Sequence, residues 1–84
     1  MPVTLNESAL RIELNGACSV EEAETLKELL DQHPDYPVDA GACEYMHTAV
    51  VQVLVVNKPR WHAWPKPPHL RQALQHIFSG ESAL

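Results

Sequence analysis

The run Ala49–Val56, AVVQVLVV, is apolar at every position except Gln52. Water does not tolerate such a stretch on a surface, and a bilayer needs about 20 apolar residues to be crossed. The run is therefore an inner element of a globular core. Its local state is open from the residues alone. β-Branched side chains crowd a helix and favour a strand, while a near-continuous apolar run suits either state. Position argues for a helix. Thr48, or His47 beside it, can cap one; Ala49, Val50, Val53, Leu54 and Asn57 then form a stripe, and Pro59 stops the run. A helix laid over a sheet is apolar over much of its surface, so tertiary context can override propensity.

The rest of the chain supplies elements to pack against. Residues 2–6 read as a short strand. Leu10, Ile12 and Leu14 alternate with Arg11 and Glu13, a period-two strand with one wet face. Asn15-Gly16 then offers turn residues. Ser19 with Glu22 fits a capping box. Behind it, Ala23, Leu26, Leu29 and Leu30 share a helical face, while Glu24, Lys27, Glu28 and Asp31 face water. Pro34 and Pro37 end that helix. Pro37–Cys43 reads as a short buried strand or loop in which Gly41 permits a tight path. Trp61–Trp64 reads as a short strand with Trp61 and Ala63 on one face and His62 and Trp64 on the other. A last helix opens at Pro68, buries Leu70, Ala73, Leu74, Ile77 and Phe78, and stops at Gly80, leaving a frayed tail over 79–84. The order β-β-α-β-α-β-α predicts one α/β domain over 1–84, with helices against a mixed sheet of about four strands.

The totals exclude several classes of function. A chain of 84 residues has room for one modest core. Its net charge of −5 disfavours nucleic acid and anionic lipid as ligands. The N-terminal residues lack the basic start and apolar block of a secretory signal, so Cys18 and Cys43 are expected to be reduced thiols in a cytoplasmic protein.

Catalytic and metal signatures are weak. Cys43 and His47 stand four apart and His62 and His69 seven apart, neither being a zinc spacing. No cofactor or metal is expected. A Cys43–His47 pair oriented by Asp39 can be drawn as a nucleophilic centre, but many small proteins offer such a trio by chance, and no glycine-rich or nucleophile-elbow motif accompanies it. The chain reads as non-enzymatic. Pro65-x-x-Pro68 reads as a rigid turn in preference to a polyproline ligand. With the two tryptophans on opposite strand faces, one is expected in the core and the other at an interface. The acidic face of Glu21, Glu24, Glu28 and Asp31 is solvated and can steer a basic partner.

Three segments together resemble a STAS domain, the type found in anti-sigma-factor antagonists and in sulfate-transporter tails: LRIELNGACSVEEAETLKELL, VDAGACEYMHTAVVQVLV and WHAWPKPPHLRQAL. The family centre reads Asp-Leu-Ser-Gly-Val, two variable positions, an apolar residue, then Asp-Ser-Ser-Gly-Leu. Asp39 matches the first Asp and Met46 the apolar residue. His47 replaces the second Asp, and Thr48 falls at the phosphoacceptor position. Ala49 and Val50 replace the small residues that follow, and the last strand of many relatives has no counterpart here.

The resemblance implies that the apolar run is a helix starting at Thr48. It implies a bacterial regulatory protein that docks on an anti-sigma factor or related kinase-like ATPase. Asp39, Gly41, Glu44, His47, Thr48 and Val51 would form the partner surface, with Thr48 as phosphoacceptor. A phosphate there would add about −1.5 to −2 charges to the interface. A threonine at this position also occurs in the STAS subunit of bacterial lipid-transport systems. The alternative it implies is a regulator of a transporter ATPase with no covalent switch.

Overall fold

The computed structural model describes residues 2–83, and their side chains through residue 78. The elements are β1 (Val3–Asn6), β2 (Arg11–Cys18), α1 (Val20–Gln32), β3 (Val38–Met46), α2 (Thr48–Asn57), β4 (Trp61–Ala63) and α3 (Pro68–Ala83). The order is the one expected. The four strands form one mixed sheet in sequence order, with β1 antiparallel to β2 and β2, β3 and β4 parallel.

One sheet face is apolar. Val3 pairs with Leu14, Leu5 with Ile12, Ile12 with Val38 and Cys18 with Met46, so these side chains share a face. α1 and α2 pack on each other over it. Leu26, Leu30, Val50, Leu54 and Leu74 complete one buried cluster with Ile12, Leu14, Val38, Ala40 and Cys43. The other face is wet, as the alternation in β2 requires: Thr4 lies opposite Glu13, Asn6 opposite Arg11 and Glu13 opposite Asp39.

The apolar run is a helix. Val50 and Leu54 are buried, four residues apart, while Val56 is 71% exposed. Lys58 closes α2 in the left-handed conformation with φ 48°, its amide bonded to the Leu54 carbonyl at 2.9 Å, and Pro59 follows.

Four local expectations change. Asn15-Gly16 does not end β2; Gly16, with φ +62°, sits at a register shift inside the strand, where a glycine in the left-handed region makes a bulge. Ser19 makes no side-chain cap bond: the Glu22 amide donates to the Ser19 carbonyl at 3.0 Å instead, and the Glu22 carboxylate accepts the Val3 amide at 3.3 Å and so pins the edge of the sheet to α1. Trp61 and Trp64 do not diverge. A register shift in β4 lets them stack at 4.3 Å, with Phe78 edge-on to both at 5.4 and 6.1 Å, and each is half-buried. Both indoles are thus core-edge packing under α3. On α3, Ala73 is exposed although Leu74 is buried, and the helix continues past Gly80 to Ala83.

Candidate functional site

β2 and β3 end side by side, Cys18 opposite Met46, and each feeds directly into a helix. The starts of α1 and α2 therefore lie together at the carboxyl end of the parallel strands, where α/β folds place their ligand sites. One hydrogen bond ties the two exits: the His47 amide donates to the Cys18 carbonyl at 2.9 Å.

His47, not Thr48, is the N-cap of α2. Its backbone is extended, with φ −64° and ψ 150°. Its ring Nδ1 accepts the Ala49 amide at 3.0 Å, so the proton of the neutral ring is on Nε2. Its carbonyl accepts the Val50 and Val51 amides at 2.9 and 3.1 Å. The cap consumes the amides of residues 49–51. Thr48 is left as the first helical residue, exposed, with neither its amide nor its hydroxyl paired among the described residues. The Thr48 hydroxyl, expected as one of two candidate caps, is therefore not the cap and is unpaired among the described residues.

The other expected site residues separate into two groups. Val51 is half-buried one turn into α2 and packs against the core. Glu44 is exposed on β3, close to Thr48 in sequence. Asp39 stands near the opposite end of β3 and Gly41 near its middle, roughly 23 and 17 Å along the strand from Met46 at about 3.3 Å per residue. Asp39 belongs to a polar cluster on the wet sheet face. Its Oδ1 accepts the Gly41 amide at 2.9 Å, and its Oδ2 lies 3.3 Å from Arg11 Nε. Arg11 Nε also meets Glu13 Oε2 at 3.2 Å, and Arg11 Nη1 lies 3.1 Å from His62 Nε2. A Cβ on Gly41 would press on Asp39 Oδ1 at 3.2 Å, so glycine is what lets that carboxylate fold back on its own strand. Gly41 and Glu44 also border an open cavity of about 540 Å³ with Lys66 and Pro67, along the length of β3 that short β4 leaves unpaired.

Three residues at the helix-start end carry no binding signal in the sequence, where Ser19 reads only as a helix cap. Ser19 is exposed, and Val20 and Tyr45 are 53% and 52% exposed. The pairing of Cys18 with Met46 brings Ser19 and Val20 to the same end of the molecule as Tyr45 and Thr48.

Cys43 does not face His47. It lies buried on the apolar side of β3, its Sγ 4.0 Å from Cys18 Sγ and 3.3 Å from the Tyr45 carbonyl. Cys18 Sγ in turn lies 4.0 Å from the Asn15 carbonyl. The hydrogen bond shared with Cys43, and then burial, push ionisation of Cys18 well above the usual thiol range. Cys43 is favoured to lose its proton first, because Cys18 can then hydrogen-bond the thiolate, against the cost of burying that charge. His47 Nδ1 is committed to the Ala49 amide and does not serve either sulfur as a base. Among the described residues no three His, Cys, Asp or Glu side chains converge as metal ligands, and no helix is long and apolar enough to cross a membrane.

Compared with known proteins, the chain matches no family model and no curated protein sequence.

Proposed function

We propose that the chain is a STAS-like regulatory domain, cytoplasmic and without catalysis of its own, that works by binding a kinase-type signalling ATPase. Contact is made through the start of α2, by Glu44, His47, Thr48 and Val51, with Ser19, Val20 and Tyr45 at the same end. Phosphorylation of Thr48 is the switch. The observation that carries this reading is the free, exposed Thr48 hydroxyl at the first position of α2, beside a cap that another residue supplies.

The chemistry supports a switch there. The amino end of a helix carries partial positive charge and tolerates a phosphate. His47 in place of the family carboxylate removes a negative neighbour that would repel one. The phosphate needs no refolding of this chain, since among the described residues Thr48 makes no side-chain hydrogen bond or ion pair that modification would break. In an interface, by contrast, the added charge must be desolvated, so it acts on the partner and not on the fold.

The test is affinity capture from the native cells with wild type, Thr48→Ala and Thr48→Glu, with bound proteins identified by mass. A kinase-like ATPase retained by wild type and Thr48→Ala and lost by Thr48→Glu is the expected result. Equal retention by Thr48→Glu would overturn the switch. A transporter ATPase lost equally from both variants would move the protein to the regulator reading, in which Thr48 is a contact only.

A further inference from the structure

α2 has a face that the core leaves open. Ala49, Gln52, Val53 and Val56 follow one another at helical spacing, and with Ala23, Glu24 and Lys27 of α1 they line a groove of about 350 Å³ between the two helices. Val56 is the most exposed of the large apolar residues, at 71%. From Thr48 to Asn57 the helix has no charged side chain. The positions of α2 that face solvent are Thr48, Gln52 and Val56, with Ala49 and Val53 half-buried beside them at the edge of the core. An apolar stripe with a polar rim marks a docking surface.

The rim is charged on one side alone. α1 contributes Glu24, with Glu21, Glu28 and Asp31 exposed on the same helix. Its one cation, Lys27, is taken by Asp31, Nζ lying 3.1 and 3.2 Å from the two carboxylate oxygens. The α2 side offers no charge to match. A second copy of this chain fits poorly: its net charge is −5, and none of its helices carries a row of cations. Anionic lipid is disfavoured on the same ground.

We propose that the α1–α2 groove docks an amphipathic helix of a protein partner, one that sets an apolar i, i+3/i+4, i+7 edge against Ala49, Val53 and Val56 and carries Lys or Arg on the flank facing α1. This rests on the reading that the protein acts by binding another protein, but it does not require modification of Thr48. The groove begins at Ala49, next to Thr48, so a helix seated in it runs out past the start of α2. Apolar residues at that spacing supply the buried anchor of helix-in-groove binding, and the one-sided basic flank sets direction.

The probe is a synthetic 15-residue helical peptide with leucines on one edge, lysines on one flank and glutamines elsewhere. Two control peptides are a scramble of the same composition and a version with glutamate for lysine. Backbone amide spectra are expected to show saturable binding, with shifts at residues 20–27 and 49–56. The scramble and the glutamate peptide should each bind at least about tenfold more weakly, as should Val56→Asp with the lysine peptide. Glu24→Lys, on the exposed rim, gives a second variant that leaves the core alone. The proposal is overturned if the scramble binds as well, if Val56→Asp and Glu24→Lys have no effect, if the shifts fall elsewhere, or if sedimentation shows a second copy in the groove. Thr48→Glu should still bind the peptide. Failure of the Thr48 captures with peptide docking intact would remove the switch and leave the groove. Failure of the peptide with the captures intact would do the reverse.

Discussion

The state of the apolar run can be tested by two alanine substitutions that a strand and a helix rank differently. In a strand, side chains alternate, so Val50, Leu54 and Val56 would share one face and one fate. In α2, Leu54 is fully buried and Val56 is 71% exposed. Leu54→Ala removes a large buried side chain from the cluster it shares with Leu26 and Val50, at a cost of about 3 kcal/mol. Val56→Ala removes little buried surface and replaces a β-branched residue by the best helix former, so its effect lies within about 0.5 kcal/mol and can be stabilising. With a urea m-value of about 1.5 kcal/mol/M, the first substitution lowers the unfolding midpoint by about 2 M and the second hardly moves it. Tryptophan fluorescence can follow both, because the Trp61–Trp64 stack is held by Phe78 of α3 and is lost on unfolding. Equal, large losses at the two positions would refute the helix and with it the placement of Thr48 at a helix start.

Four further predictions follow from the geometry. His47→Ala should cost about 1 kcal/mol, the usual loss of an N-cap, while His47→Asp should match or exceed wild type because aspartate is among the preferred caps; thermal melts decide this. Cys18 and Cys43, both at most 1% exposed, should resist a mild alkylating reagent until the protein unfolds. Because Cys18 ionises above the ordinary thiol value of 9.0 in the folded state, its stabilising effect is complete below that pH. Above it the unfolded thiol binds fewer protons than the folded one, so stability should fall with rising pH by up to about 1.4 kcal/mol per unit, a slope reduced in Cys18→Ala. Asp39→Ala, which loses both the Gly41 amide bond and the Arg11 ion pair, should destabilise by about 1–2 kcal/mol. Asp39→Asn keeps an oxygen for Gly41 and should cost about half as much, as measured by urea titration.

Local pattern sufficed where one signal dominated. Leu26 and Leu30 are buried and Glu24, Lys27, Glu28 and Asp31 exposed in α1, as helical spacing requires, and the element order is the one the alternating patterns imply. Pattern failed where one residue type serves two ends. Asn-Gly ends a strand or bulges it, and only the pairing of Gly16 with Cys43 decides. A Ser-x-x-Glu box is legible, but the Val3 amide that captures Glu22 comes from another strand. The alternation that separates Trp61 from Trp64 holds only in a regular ladder, and β4 is not regular after Val38 pairs with Trp61. At the candidate site the start of α2 was legible from the cap-forming His47 and Thr48 that precede the apolar run. The capping role of His47 was not separable from that of Thr48, since both can accept a backbone amide. The groove between α1 and α2 was out of reach, because it depends on how far apart two helices pack.

The central claim is that Thr48 is a free acceptor at the binding surface and that its modification releases the partner. The most direct measurement is mass mapping of the protein from its own cells, separated into partner-bound and free fractions. Phosphate on Thr48 confined to the free fraction is the expected result. Phosphate shared equally between the fractions, or a bound fraction fully phosphorylated at Thr48, would contradict it.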